Sequence, residues 1–382
     1  MILIKNIEVY APQYKGKKDV FISGGKISLI EENINFKNEK VKIIDGRGKK
    51  LTPGFIDQHV HITGGGGEGS FKTRAPEITL SKLTKGGITT VVGLLGTDGT
   101  TRSIENLVSK AKALKEEGIT VFAHTGSYEY PTVTMTGSIK RDITFIDEII
   151  GVKLALSDHR APNVSNIELQ RVASDARVAG MLSGKAGIVV LHMGDGKRGL
   201  QPVNEILEET EIPMKTIRPT HVNRREELLL EAFDYAKRGG KIDLTCGIKE
   251  DLTPGNCIKR ALKDHVPSEN ITISSDGYGS WSKYDDAGNL IKMGVSSVSN
   301  LHDEFKVMVS KLNFSIEEAL TYITSNVAKG LEIYPRKGCL SEGSDGDLLL
   351  LDENLDIDAV IANGKVMIEN KEVLVYGSYE HI

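Results

Sequence analysis

The chain has 382 residues, 39% of them hydrophobic and 26% charged, with a formal net charge of -4. That composition belongs to a folded globular protein, and it argues against a disordered chain, a membrane-spanning one or a basic nucleic-acid surface. Three scattered cysteines without a CxxC spacing imply neither a disulfide framework nor a zinc knuckle, so a reducing cytoplasm is the expected setting.

The opening MILIKNIEVYAPQ is interrupted by Lys5 and Glu8 and lacks the apolar core and cleavage site of a secretory signal. No apolar run approaches membrane-spanning length, so no membrane partner is expected. Up to Lys50 the chain reads as short alternating strands, ILIKNIEVY and KDVFISGGKISLI, with a Gly-Gly hairpin signal.

From residue 51 the pattern changes. Buried-strand runs recur at 54–58, 89–95, 120–123, 151–156, 187–191, 216–220, 241–245 and 271–275. Helix-like stretches between them, including 103–117, 166–183, 225–238 and 255–264, give the alternation of a parallel sheet. Eight such units predict an α/β fold of the (β/α)8 TIM-barrel type over 51–335. A doubly wound sheet shares the alternation but often carries GxGxxG after its first strand, where this chain has HVH. Ser315 and Glu318 form a capping-box start for a last helix leading towards Gly330. Beyond 335 the alternating segments resume (DLLLLD, DAVIANGKVMIEN), so 1–50 plus 336–382 are expected to build one small β domain.

Barrel enzymes place their chemistry at the C-terminal ends of the strands. His59 and His61 lie two apart on extended chain and project to one side, which lets both imidazoles face one ion. His192, His221 and Asp276 each end a later apolar run. A lone histidine is more often structural than a ligand, but four in such positions form a set. His124 also ends a strand and is assigned a supporting role. Lys153 lies inside the run VKLAL, where desolvation lowers the pKa and leaves some neutral amine able to react with carbon dioxide. The carbamate formed would offer two oxygens to bridge two zinc ions, completing a two-metal site with the four histidines and the aspartate. A lysine that merely meets a carboxylate is the plainer alternative.

These residues, together with TPGFIDQHVH and KGCLSEGSDGDLLLLD, give a chain that resembles the amidohydrolase superfamily. The loops GGGGEGS, GLLGTDG, HTGSYEYP, KLALSDHRAP, LHMGD, PTHVNR and SSDGYGS make it similar, within that superfamily, to the isoaspartyl dipeptidase family. The resemblance implies a metallo-dipeptidase with two Zn2+ per chain, bridged by N6-carboxylated Lys153. His59, His61 and Asp276 would hold one ion, and His192 and His221 the other. It also implies that both chain ends form a β-sandwich, and that the protein is a homo-oligomer, often an octamer in relatives.

The loop chemistry agrees with a zwitterionic dipeptide, which needs one anion and at least two cationic partners. Glu68 follows four glycines, which permit close approach to a ligand. Arg160 and Arg224 follow ligand strands and suit bidentate contact with carboxylates. Tyr128 and Tyr130 each offer a phenol for a developing oxyanion, and the resemblance favours Tyr128. It further implies that Glu68 receives the α-ammonium group, that the two arginines contact carboxylates, and that Gly66, Gly67, Thr97 and Ser280 complete the substrate contacts. The implied reaction is attack of a metal-bridging hydroxide on the β-aspartyl carbonyl of an isoaspartyl dipeptide, with Asp276 as base and then acid. The alternative is a cyclic amidase of dihydropyrimidinase or dihydroorotase type, whose ring substrate carries no free α-ammonium group.

Overall fold

The computed structural model describes residues 1–36, 38–249, 251–285 and 287–380. Its centre is a ring of eight parallel strands in chain order: β1 (Phe55–Val60), β2 (Ile88–Gly93), β3 (Thr120–Gly126), β4 (Ile149–Leu156), β5 (Ile188–Met193), β6 (Ile217–Thr220), β7 (Ile242–Thr245) and β8 (Ile271–Ser274). Every residue of β1, β2, β4 and β5 is buried, because helices cover the outer face and side chains fill the inner one. This explains why these runs are apolar throughout rather than alternating.

The seam between β8 and β1 is closed just beyond the regular ladder. Val60 bridges Gly277, and the His61 amide donates to the Gly277 carbonyl at 2.9 Å. Asp57, on β1, accepts from the Ser275 amide at 3.2 Å and from the Ser275 hydroxyl. Burial pushes the Asp57 carboxyl up to about 7 despite these donors.

Helices α1 (Leu80–Lys85), α2 (Ile104–Glu117), α3 (Ile139–Phe145), α4 (Asn166–Ser183), α5 (Gln201–Glu209), α6 (Glu226–Lys237), α7 (Pro254–Lys263) and α8 (Asn300–Ser310) alternate with the strands. The ends of α4 are written in the sequence. Ser165 and Glu168 form a capping box at its start, and Gly184, at φ 67°, stops it. A second capping box, Ser315 with Glu318, starts α9 (Ile316–Ile323). The expected continuous helix to Gly330 is broken at Thr324 (φ -132°, ψ -85°), and the chain restarts as α10 (Ser325–Gly330). After β8 the loop carries a hairpin that sequence patterning did not reveal, β9 (Ser280–Tyr284) and β10 (Leu290–Val295). Among the described residues no helix is long and apolar enough to cross a membrane.

Both chain ends meet in one nine-stranded sheet, which fits the sandwich expected beside the barrel. Its join is the antiparallel pairing of Lys50–Pro53 with Leu348–Leu351. Those four leucines are all buried because the strand has two apolar neighbours. Leu348 and Leu350 point into the core of the small domain with Ile4, Ile22 and Ile361, while Leu349 and Leu351 join the barrel's core. An apolar junction therefore joins the sheet built from the two chain ends to the barrel, at the strand that leads into the start of β1.

Candidate metal centre and substrate cavity

At the C-terminal ends of the strands lies a cavity of about 770 Å3. Of the residues singled out from sequence, His61, Gly66, Glu68, Thr97, Tyr128, Arg160, His192, Arg224, Asp276 and Ser280 line it. His59, Lys153 and His221 lie beneath this lining as its buried floor. Gly67 lines a smaller adjoining hollow behind Glu68 instead. Tyr130 packs against the barrel's core, whereas Tyr128 faces the cavity, which separates the two tyrosines. His124 is buried on β3 against Gly151.

Strand geometry assembles the donors. Nε2 of His59 and of His61 lie 3.6 and 3.2 Å from Asp276 Oδ1. Donor atoms of His59, His221 and Asp276 all fall within 4.8 Å of one another. The rings of His221 and His192 are 4.6 Å apart between centroids, and those of His59 and His221 4.7 Å. His221 and Asp276 leave β6 and β8 in the left-handed region, at φ 62° and 52°. Such backbone conformations cost energy for residues with a side chain, and here they turn two donors inwards.

Lys153 is fully buried on β4, with Nζ 2.8 Å from His59 Nε2. Burial pulls its amine down to about 7, so a substantial neutral fraction exists near neutrality. Burial also holds His59, His192 and His221 well below the ordinary imidazole range, leaving them neutral with lone pairs to offer. Asp276 Oδ1 is buried and accepts no hydrogen bond, although it faces two imidazole nitrogens. A carboxylate oxygen and neutral imidazoles grouped in this way fit a divalent cation, which would satisfy the atom that protein donors leave open.

The surrounding groups fix how the imidazoles face. Thr245 Oγ1 meets His221 Nδ1 at 2.8 Å, which turns Nε2 towards the centre. His192 Nε2 lies 3.1 Å from Asp158 Oδ2, and a carboxylate there requires that nitrogen to carry the proton. The Nδ1 lone pair then faces inwards, where it accepts from the Tyr128 hydroxyl at 2.6 Å. Burial keeps Tyr128 above the usual phenol range, so it remains a donor.

Asp158 is also the anchor of Arg160, accepting from its Nε at 2.9 Å and its Nη2 at 2.8 Å. Although burial opposes ionisation, Arg160 and His192 hold this carboxyl far below its ordinary value. Arg160 Nη1 approaches Glu68 Oε1 at 3.6 Å, and the guanidinium lies over the Tyr128 ring at 5.3 Å. Glu68 Oε1 accepts from Ser280 Oγ at 2.7 Å and Thr97 Oγ1 at 3.3 Å, while Oε2 is buried without a partner. Sequence reasoning passed over Asp158 and Thr245. Asp158 stands two residues before Arg160 in KLALSDHRAP, in the loop just after β4; Thr245 gave no signal beyond ending β7.

The amidohydrolase family model matches residues 51–198 and 216–367. The β-aspartyl dipeptidase of Fervidobacterium islandicum AW-1, solved in complex with the β-Asp-Leu dipeptide, is 44% identical and superposes with a TM-score of 0.92 over 97% of this chain and 98% of its own. A D-hydantoinase from Thermus sp. shares the fold at 18% identity, with a TM-score of 0.69 over 99% of this chain and 98% of its own. The dihydroorotase of Elusimicrobium minutum is 40% identical over 107 residues, a stretch that spans 28% of this chain and 24% of that protein.

Proposed function

The chain belongs to the amidohydrolase family and is a hydrolytic dipeptidase of the β-aspartyl dipeptidase type, and from that premise we propose that it cleaves the β-aspartyl isopeptide bond of isoaspartyl dipeptides at a two-zinc centre. His59, His61, Lys153 as its carbamate, His192, His221 and Asp276 would hold the ions. When bound, the ions supply Lewis-acid polarisation of the scissile carbonyl and lower the pKa of the attacking water.

The chain's own residues do the rest. Asp276 takes a proton from the attacking water at its carboxylate and delivers it to the departing α-amine. Tyr128 donates to the carbonyl oxygen as negative charge builds there. Its hydroxyl lies 2.6 Å from His192 Nδ1, and it would be free for this role if His192 held an ion through that nitrogen. Glu68 receives the substrate ammonium group, and Arg160 and Arg224 orient its carboxylates through charge-assisted hydrogen bonds. Thr97 and Ser280 hold Glu68 in place, and the positive φ of Gly66 and Gly67, 85° and 107°, brings the loop carrying it to the cavity.

The observation that carries this reading is the open, buried Oε2 of Glu68 beside the metal-ligand cluster. An ammonium group would satisfy it, and a cyclic imide has none to offer. The cyclic amidase reading draws on the local similarity to a dihydroorotase. Zinc-loaded protein should hydrolyse β-Asp-Leu and leave dihydrouracil and dihydroorotate unopened. Ring opening without dipeptide cleavage would reverse the assignment.

A further inference from the structure

The cavity has more lining than an isoaspartyl group requires. Beyond the metal ligands, Glu68 and the two arginines, its outer wall carries Lys249, Lys283 and Lys292, and among the described residues Asp195 is the one further carboxylate in the lining. All three lysines are exposed at the rim, and among the described residues none has a carboxylate within ion-pair distance.

Two come from the hairpin β9–β10, where Lys283 lies directly across from Lys292 in the register. Like charges in that position destabilise a two-stranded ribbon, which has little stability of its own. Trp281, on the same hairpin, lies over Gly294; a Cβ there would meet the indole at 2.3 Å. The Lys292 ammonium sits 5.4 Å above that ring. The hairpin thus concentrates positive charge at the cavity mouth at a cost to its own folding, and an anion between the lysines would relieve it.

We propose that this rim selects isoaspartyl dipeptides whose second residue is acidic, β-Asp-Glu and β-Asp-Asp. The inference rests on the dipeptidase reading above, because Glu68, Arg160 and Arg224 then consume the charges common to every such substrate. Only the side chain of the departing residue is left to meet the lysines. Because the lysines are exposed, the attraction acts partly through water and is screened by salt.

The test compares kcat/KM for β-Asp-Glu, its neutral isostere β-Asp-Gln, and β-Asp-Lys. At low ionic strength β-Asp-Glu should exceed β-Asp-Gln by about fivefold, a preference that fades in ~0.5 M salt. The K283Q/K292Q double variant should lose the preference through a higher KM for β-Asp-Glu, and Lys292→Glu should shift it towards β-Asp-Lys. Equal rates for β-Asp-Glu and β-Asp-Gln in wild-type protein at low salt, or a preference unaltered in both variants, overturns the rim proposal and leaves the dipeptidase reading standing. Failure to cleave any of the three overturns both.

Discussion

Replacing Glu68 with glutamine is the most direct perturbation of substrate recognition, because the change is isosteric and the neighbourhood is defined atom by atom. Oε1 would stay as an acceptor for Ser280 and Thr97, so the loop should keep its position. The new amide would take the place of Oε2, which is buried and open in the wild-type protein. An ammonium group would then lose a charged acceptor and meet a donor. A hydrogen bond to a charged group contributes about 1.5–3 kcal/mol, which at ~1.4 kcal/mol per factor of ten is a loss of about 10- to 150-fold in kcat/KM. The assay is steady-state hydrolysis of β-Asp-Leu by metal-loaded wild-type and Glu68→Gln protein, with circular dichroism to verify the fold. Wild-type kcat/KM in the variant would refute the role given to Glu68.

Asp276→Asn should retain most of its metal yet lose at least ~100-fold in kcat, the lower range for a general acid–base group; near-normal turnover would remove Asp276 from the proton path. Asp158→Asn should disturb both the tautomer of His192 and the seat of Arg160, and lower zinc affinity by about 10- to 100-fold in competition with a chelating indicator. Asp19 gives a pH prediction far from the site. Burial works against its ionisation, but the Ile34 and Asn6 amides and Lys5 outweigh burial and lower its pKa from 3.8. Its stabilising contribution is therefore full above the unfolded-state value and is lost as pH falls through it towards the lower folded-state value. The gap in urea midpoint between wild type and Asp19→Asn should accordingly narrow from ~pH 6 to ~pH 3, and a constant gap would contradict this account.

The barrel strands were legible because each is coated on both faces and so reads as an unbroken apolar run. The polar residue ending such a run is where chain leaves packed core for the mouth, and this made His192, His221 and Asp276 stand out. Lys153 was conspicuous for the opposite reason, an ammonium within VKLAL. Asp158 was not, because a carboxylate beside an arginine in a loop resembles any solvated pair until the fold brings His192 to the same Oδ2 that Arg160 Nη2 holds. Asp57 depends on Ser275, a contact that exists only when the last strand closes on the first. The lysines of β9 and β10 look like ordinary surface charge in the sequence, and only hairpin register sets them opposite one another. The break at Thr324 escaped for a related reason: helical periodicity continues across it, and a single backbone rotation separates α9 from α10.

The pairing of Lys50–Pro53 with Leu348–Leu351 has a consequence for how the chain acquires its shape. These partners are separated by nearly the entire barrel, so loop closure must bring together distant segments before the ladder between them can repay the lost entropy. During synthesis the strand at Lys50–Pro53 cannot complete this ladder until Leu348–Leu351 has been made. Deletion of residues 343–382 would remove Leu348, Leu350 and Ile361 from the core they share with Ile4 and Ile22 and open it to aggregation, even with every residue around the cavity intact.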